Sequence, residues 1–216
     1  MTEQNFEPMR RAMVASQLRT TGVSDPGVIA AMGSVPRERF VPADRAALAY
    51  AEAPLALANG RQLGTPMVLG RMLTEARPEP GDKALVIGAA TGYSAAVLAR
   101  LVASVVAVEE DTDLLGAARV ALADAGVQLV EAPLAEGHAA GAPYDIILID
   151  GAVEFVPDAL VAQLADGGRL VAAILDQGVS RIAVGRRGGG SFAMTAVADA
   201  ASATLPGFQK PRGFSF

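Results

Sequence analysis

The feature that most constrains the fold is the regular alternation of short apolar segments with helix-length segments after residue 82. The apolar segments are rich in valine, leucine and isoleucine, as buried strands are, and cover residues 83–88, 104–110, 127–131, 144–150 and 168–174. The segments between them, residues 93–101, 111–125 and 156–164, have helical spacing of apolar positions. Strands that alternate with helices form a parallel sheet covered by the helices. The sequence therefore predicts an α/β fold with a mostly parallel sheet.

The end of the chain departs from this alternation. Two apolar segments, residues 181–187 and 191–197, flank the triplet Gly188-Gly189-Gly190. Two strand-like segments joined by a glycine turn indicate a β-hairpin. The predicted sheet therefore ends in antiparallel strands, unlike a nicotinamide-dependent dehydrogenase, whose second half repeats strand, helix and strand. A dehydrogenase is disfavoured on this ground.

The first eighty residues have a different character. Helices are expected over residues 9–18, after the capping sequence Ser24-Asp25-Pro26 as far as Gly33, and over residues 67–75. Residues 49–66, which are interrupted by proline and glycine, are expected to be irregular. We expect residues 1–80 to form a helical and loop segment that packs on an α/β domain at 81–216, as one compact unit.

Composition excludes several kinds of site and partner. The chain has no cysteine and one histidine, so it holds no disulfide and no site of several histidines, and we expect no metal site. His138 is expected in an exposed loop. The net charge of −5 disfavours nucleic acid as a partner. The charged first residues disfavour a signal peptide, and the polar residues within 84–99 disfavour a membrane span. These features suit the cytoplasm.

The sequence from Val86 to Tyr93 joins a predicted strand to a predicted helix and carries glycine at Gly88 and Gly92. Glycine there lets the backbone bend and lets a ligand approach closely, although any strand-to-helix turn favours glycine. Glu109 ends the next strand, about twenty residues after Gly88, where a carboxylate can accept both hydroxyls of a ribose. Glu109 could instead be a solvated acid near a helix start. Together the loop and the acid indicate a ligand that carries a nucleoside.

A second acid follows the strand at residues 144–150. Asp150 is expected at the carboxyl edge of the sheet, where open α/β sheets bind ligands. It could contact a cofactor or a substrate, or cap the backbone that follows. Tyr93 and Tyr144 are expected to be packing residues. The phenylalanines Phe208, Phe214 and Phe216 are expected to cover an edge of the sheet.

Several longer patterns extend beyond the nucleoside-binding elements. They are RxxMVxxQL at 10–18, AMxxVPRERFVP at 31–42, AYxxxPL at 49–55, IGxxxGYxAAVLARL at 87–101 and a pattern from APYDIILI to GGRLV at 142–171. In this order they resemble the protein-L-isoaspartate O-methyltransferase family. The resemblance implies a class I methyltransferase (Rossmann-like) fold and methyl transfer from S-adenosylmethionine to isoaspartyl residues of damaged proteins, a repair reaction. It also implies cofactor binding by Gly88, Ala89, Ala90, Thr91, Gly92, Glu109 and Asp150.

The segment that would read the substrate differs from the family pattern. Gly64 stands where the family has a serine at the substrate carboxylate, and Thr65 is the neighbouring hydroxyl and the candidate substitute. We therefore expect Gln62, Gly64 and Thr65 at the substrate. Arg61 is a candidate partner for a carboxylate, although a surface arginine in a loop is the simpler interpretation. A different methyl acceptor is an open alternative.

The cofactor positions also depart from the family pattern. Val86 stands where the family has an acid, Ala90 where it has the middle glycine, and Pro133 where an acid lies near the adenine. Each lost hydrogen bond to a charged group costs roughly 1.5–3 kcal/mol. The alternative function is therefore that of a non-catalytic or altered-specificity relative, which keeps the fold as a binding module.

Overall fold

A computed structural model describes residues 5–210 of the chain. The sheet strands, in chain order, are β1 (Leu55–Ala56), β2 (Gln62–Leu63), β3 (Lys83–Ile87), β4 (Ser104–Glu109), β5 (Val127–Glu131), β6 (Tyr144–Val153), β7 (Leu164–Asp176), β8 (Val179–Gly188) and β9 (Ser191–Asp199). The α-helices are α1 (Glu7–Met13), α2 (Pro26–Ser34), α3 (Pro66–Ala76), α4 (Tyr93–Leu98), α5 (Thr112–Ala121) and α6 (Asp158–Ala162).

Seven of these strands form one sheet in the order β5-β4-β3-β6-β7-β8-β9. The pairs from β5 across to β7 are parallel, and β7, β8 and β9 pair in antiparallel register. The predicted α/β fold with a C-terminal hairpin is therefore confirmed. The chain moves outward from β3 to β5, then returns to place β6 on the other side of β3. The strand order thus reverses between β3 and β6, and the carboxyl ends of this pair form the crevice where open α/β sheets bind ligands.

Element bounds differ from the predictions at several points. The helix predicted over 9–18 is α1 followed by a wider π-helical turn at Val14–Leu18, and the helix predicted over 156–164 is only α6. Strand β7 begins at Leu164 instead of residue 168. The segment 49–66, predicted to be irregular, contains the short antiparallel pair β1 and β2. We call residues 55–63, which form this pair and its turn, the β1–β2 hairpin.

The segment before residue 81 packs onto the α/β core. One continuous cluster of buried apolar side chains includes Met13, Met32 and Leu73 from this segment together with Leu148 and Val171 of the sheet. Helix α3 contacts β6, β7 and β8. The N-terminal segment therefore covers one face of the sheet. The loops of this segment lie at the crevice between β3 and β6.

The segment after β9 returns to the carboxyl end of β6. Thr204 forms a parallel bridge with Ala152, and Leu205 N donates to Ala152 O at 2.9 Å. Phe208 is buried, and its carbonyl accepts the N–H of Glu154, just after the carboxyl end of β6, at 3.2 Å. Phe214 and Phe216 lie outside the described residues. Within residues 5–210, no helix has the length and apolarity needed to cross a membrane.

Candidate functional site

A narrow cleft opens at the crevice between β3 and β6. One wall is the segment from Arg61 to Thr65, which leads from the β1–β2 hairpin into α3. The opposite wall is formed by Asp150 and Gly151 of β6 and by residues 202–205. The cleft therefore brings the predicted substrate segment next to Asp150, one of the predicted cofactor residues.

The loop after β3 has the backbone that its glycines predict. Gly88 and Gly92 have φ values of +74° and +98°, and Ala90, at the family's glycine position, has a φ of +50°. A side chain at Gly92 is excluded, because its Cβ would lie 2.6 Å from Leu122 Cδ1. Thr91 Oγ1 donates to the carbonyl of Phe40 at 2.6 Å, so the Thr91 side chain holds the N-terminal segment. The loop is thus tightly fixed before any ligand binds.

Glu109 lies at the carboxyl end of β4 and is fully buried, so the alternative of a solvated acid is wrong. Its Oε2 accepts the backbone N–H of Ala90 at 2.7 Å, and its Oε1 accepts those of Glu110 and Asp111 at 3.0 and 3.1 Å. The same Oε1 also accepts Nη1 of Arg61 at 2.8 Å. The carboxylate is therefore beside the glycine loop, as predicted, but engaged by protein donors.

Arg61 is buried at the cleft wall, with 8% of its surface exposed, so the interpretation as a surface arginine is wrong. Besides the ion pair with Glu109, its Nη2 donates to the carbonyl of Gly88 at 3.2 Å. The neighbouring Asn59, which has a left-handed backbone, donates from Nδ2 to Asp111 Oδ2 at 2.7 Å. These contacts dock the β1–β2 hairpin across the ends of β3 and β4.

The contact between Asn59 and Asp111 affects the pKa of the Asp111 carboxyl. Burial raises the pKa of the Asp111 carboxyl, but hydrogen bonds from the backbone of Leu114, from Asn59 and from the backbone of Asp113 outweigh it. The net effect is a pKa below the ordinary value of 3.8. Asp111 therefore caps α5 as a carboxylate and holds the hairpin turn at the same time.

Asp150 lines the cleft on the side opposite the hairpin. Desolvation raises the pKa of its carboxyl above the ordinary value of 3.8. The hydroxyl of Ser94 and the guanidinium groups of Arg61 and Arg37 act in the opposite direction. A carboxyl group in a cleft with a pKa raised in this way is typical of a ligand-binding site.

The predicted substrate residues all line the cleft but differ in their burial and in their hydrogen bonds. Gln62 is exposed, and Gly64 is partly buried with no atom within 4 Å of the position a Cβ would take. Thr65 is the N-cap of α3, where its Oγ1 accepts the N–H of Val68 at 3.4 Å. The hydroxyl next to Gly64 therefore already has a structural task.

Sequence reasoning missed Arg37, which is fully buried behind the substrate segment. Its Nε donates to the carbonyl of Ala49 at 2.6 Å, its Nη2 donates to the carbonyl of Gly64, and its guanidinium lies 4.6 Å from the ring centre of Tyr93. Burial lowers the pKa of Arg37, and Tyr93 opposes this. The signal was its position between the apolar residues Val35 and Phe40.

The other departures from the family pattern lie in β3 and in the turn after β5. Val86 is buried in β3, between Ala107 and Leu148 of the neighbouring strands. Pro133 is exposed in the turn after β5. The next residue, Leu134, donates its N–H to Glu110 Oε2 at 3.2 Å. The turn is thus held by the acid that follows Glu109.

The remaining candidates for chemistry have other roles or none. Tyr93 and Tyr144 are fully buried, as expected of packing residues, and Tyr93 also lines the cleft. His138 lies in a loop and is partly buried rather than exposed, and its carbonyl accepts the hydroxyl of Tyr144 at 2.9 Å. Across residues 5–210, no three histidine or acidic side chains come together as a metal ion would require.

Comparison with known proteins gives a consistent result over nearly the whole chain. The sequence profile described as "Protein-L-isoaspartate(D-aspartate) O-methyltransferase (PCMT)" matches residues 9–206. A protein-L-isoaspartate O-methyltransferase of Koribacter versatilis is 37% identical over 203 residues, which cover 93% of this chain and 91% of the relative.

Two solved structures share the fold. One protein-L-isoaspartate O-methyltransferase superposes with a TM-score of 0.80 at 23% identity, and the match covers 92% of this chain and 66% of the solved one. The second is a putative protein-L-isoaspartate O-methyltransferase from Plasmodium falciparum, described in complex with S-adenosyl-L-homocysteine. It has a TM-score of 0.79 at 17% identity and covers 94% and 99% of the two chains. At these identities the likeness shows the fold.

Proposed function

Because the chain belongs to the protein-L-isoaspartate O-methyltransferase family, we propose that it transfers a methyl group from S-adenosylmethionine to the carboxylate of an isoaspartyl residue in a damaged protein. The observation that carries this proposal is the position of Glu109, whose carboxylate lies beside the Gly88 loop at the point where the strand order reverses. The product of the reaction is a methyl ester at the damaged site, the first chemical step of repair.

The acceptor atoms at the crevice fit the nucleoside part of the cofactor. Arg61 provides two donors, one to the carboxylate of Glu109 and one to the carbonyl of Gly88. Ribose hydroxyls and an ammonium group are donors of the same kind, so they can take these two acceptors when the guanidinium leaves them. We assign the loop from Gly88 to Gly92 and Glu109 to cofactor binding on this basis, and Asp150 because it lines the adjoining cleft.

When bound, the cofactor supplies an electrophilic methyl group on a positively charged sulfur. The acceptor carboxylate is ionised at neutral pH, because an aspartyl carboxyl has a reference pKa of about 3.9. No general base is then needed, and the protein contributes chiefly by placing the acceptor oxygen in line with the methyl group. The segment from Gln62 to Thr65, held from behind by Arg37 through the carbonyl of Gly64, lies where this placement occurs.

The proposal is tested by calorimetric titration with S-adenosylhomocysteine, followed by methylation of an isoaspartyl peptide with the aspartyl peptide as control. Glu109→Gln is expected to weaken binding by about tenfold or more, since hydrogen bonds to a charged acceptor are lost. Glu131→Gln is the matched control, because Glu131 is exposed and lies opposite Glu109 in the next strand. Absence of heat at millimolar ligand contradicts the proposal.

One observation favours a second candidate, a relative without catalytic activity that keeps the fold as a binding module. The buried ion pair between Arg61 and Glu109 occupies the acceptor that a ribose needs. The same titration separates the two candidates, because the binding module is expected to give no heat with S-adenosylhomocysteine. A chain that binds the cofactor product but methylates only other carboxylates has an altered acceptor.

We also propose that the protein acts in the cytoplasm on protein substrates and not on nucleic acid. The absence of cysteine suits a reducing compartment, and the net charge of −5 repels a phosphate backbone. Cell fractionation with an antibody against the chain tests the location. Recovery with the secreted or membrane fraction contradicts it.

A further inference from the structure

Arg61 lies between the two halves of the site. Its guanidinium contacts Glu109 and Gly88 on the cofactor side, and the residue also lines the cleft with Gly64 and Asp150 on the substrate side. It is held there by a short hairpin of two-residue strands. A single side chain can therefore reach both halves by rotating about its own bonds.

The ion pair and the ribose compete for the same atom. Glu109 Oε1 accepts three donors, namely Arg61 and the backbone N–H groups of Glu110 and Asp111. A fourth donor has no free lone pair at this oxygen. Among the residues that the structure describes, Oε2 accepts only Ala90 N at 2.7 Å, so one ribose hydroxyl can bind at this oxygen. The second hydroxyl reaches the carboxylate only at Oε1, where it must displace Arg61 while the backbone donors stay in place.

A displaced guanidinium needs a new anion, because a buried charge without a partner is strongly destabilising. The substrate side of the cleft offers room for one, since no atom lies within 4 Å of the Cβ position of Gly64. Arginine binds carboxylates through two parallel hydrogen bonds, which a single hydroxyl cannot do. Asp150 lines the same cleft and attracts the guanidinium, so the acceptor carboxylate would bind an arginine that Asp150 already helps to hold.

We propose that Arg61 changes partner during each turnover. It pairs with Glu109 in the free protein, and after the cofactor has displaced it, it binds and orients the carboxylate of the methyl acceptor beside Gly64 and Thr65. The inference rests on the proposed methyltransferase function. It makes Arg61 a residue that determines acceptor specificity, and it makes binding ordered, with the cofactor before the acceptor.

The test is the variant Arg61→Gln, with Arg119→Gln as the matched control, because Arg119 is exposed on α5. Without its competitor, S-adenosylhomocysteine is expected to bind Arg61→Gln about tenfold more tightly in calorimetry. The KM for an isoaspartyl peptide at saturating cofactor is expected to rise by about tenfold or more, because charge-assisted hydrogen bonds are lost. The value of kcat is expected to fall as well, because in-line placement of the acceptor oxygen depends on the residue that orients it.

The opposite direction of the two binding effects separates this role from a structural one. A residue needed only for folding would weaken both ligands, and thermal unfolding of each variant checks this. Arg61→Lys is the second variant. It keeps the charge without the planar fork, so it is expected to restore the native cofactor affinity and part of the native acceptor KM.

Each possible result decides the question. The inference is overturned if native protein binds S-adenosylhomocysteine but folded Arg61→Gln binds it no more tightly, or if the acceptor KM of that variant is unchanged. It fails together with the proposed function only if neither protein binds S-adenosylhomocysteine at millimolar concentration. These outcomes are distinct in the same set of titrations.

Discussion

The side chain of Leu205 lies directly on the backbone of Gly88: a Cβ placed on Gly88 would come within 2.9 Å of Leu205 Cδ1. The same leucine lies on Gly151, where a Cβ would be 2.6 Å from Leu205 Cγ. The bridge between Thr204 and Ala152 holds this segment in place. The C-terminal segment therefore covers the ends of β3 and β6, where a ligand would approach the two glycines.

Leu205→Ala is expected to strengthen the binding of S-adenosylhomocysteine by about tenfold, because displacing a buried leucine costs on the order of 1–2 kcal/mol. The same change is expected to lower the free energy of unfolding by about 2–5 kcal/mol, since Leu205 is buried. Calorimetry and urea unfolding measure the two effects.

Leu160→Ala is the control for this prediction. Leu160 is fully buried in the same apolar cluster as Leu205, but it packs against Gly137 rather than the Gly88 loop. It is expected to lower the free energy of unfolding by a similar amount without changing the affinity. Equal affinities for Leu205→Ala and the native protein would show that Leu205 does not obstruct the ligand.

Gly64→Ser is expected to lower the KM for an isoaspartyl peptide by about tenfold, because the new hydroxyl can donate to the acceptor carboxylate. The site has open space for the side chain, and the carbonyl of Gly64 can keep its bond from Arg37. Gly64→Ala adds the Cβ without the hydroxyl and serves as control. Steady-state methylation assays distinguish the two, and equal KM values would contradict the prediction.

Thr65→Ala is expected to have two separable effects. Loss of the N-cap of α3 lowers the free energy of unfolding by about 1 kcal/mol. Loss of the hydroxyl in the cleft lowers kcat/KM for the isoaspartyl peptide by about tenfold. Asp25→Ala removes the N-cap of α2 away from the cleft, so it should reproduce only the first effect. If Thr65→Ala retains native kcat/KM, the hydroxyl has no part in substrate binding.

The free energy of unfolding of Asp150→Asn is expected to increase relative to that of the native protein as the pH rises. The pKa of Asp150 is raised above 3.8 by desolvation in the folded state, so the folded protein holds this proton more strongly than the unfolded chain. Its contribution to stability is present below the unfolded pKa and is lost as the pH rises through the folded pKa. The asparagine side chain is neutral throughout and avoids this loss.

Urea unfolding between pH 4 and about pH 7 measures the difference between Asp150→Asn and the native protein. The difference in the free energy of unfolding should grow with pH. Asp124→Asn, at an exposed position, controls for the change in net charge. A difference that stays constant with pH would mean that the carboxyl has the same pKa in both states.

The sheet could be predicted from the sequence because its strands contain short apolar segments, separated by helix-length segments or by a glycine turn. Gly88, Gly92 and Glu109 were placed correctly relative to one another, since the spacing of strand, turn and helix fixes them. The residues at which these strands and helices begin and end were less predictable. Strand β7 begins before its apolar segment because Leu164 pairs with Tyr144, ahead of a register shift between β6 and β7.

The partners of the charged side chains could not be predicted. Arg61 is separated from Glu109 by 48 positions, and Arg37 from the carbonyl of Gly64 by 27. No local pattern specifies such pairs, because they form only after the β1–β2 hairpin has docked on the sheet. Leu205 is a similar case, since its contact with Gly88 depends on how the chain returns after β9.

Arg61, which competes with a ribose for the carboxylate of Glu109, belongs to the same chain because the β1–β2 hairpin carries it. A competitor attached in this way has a fixed local concentration, set by the reach of Arg61 from the hairpin. Dilution of the protein does not weaken it, and dialysis does not remove it. The cofactor concentration at which the site begins to load is therefore set by the polypeptide itself, and the cellular level of the cofactor decides only how far the site is filled.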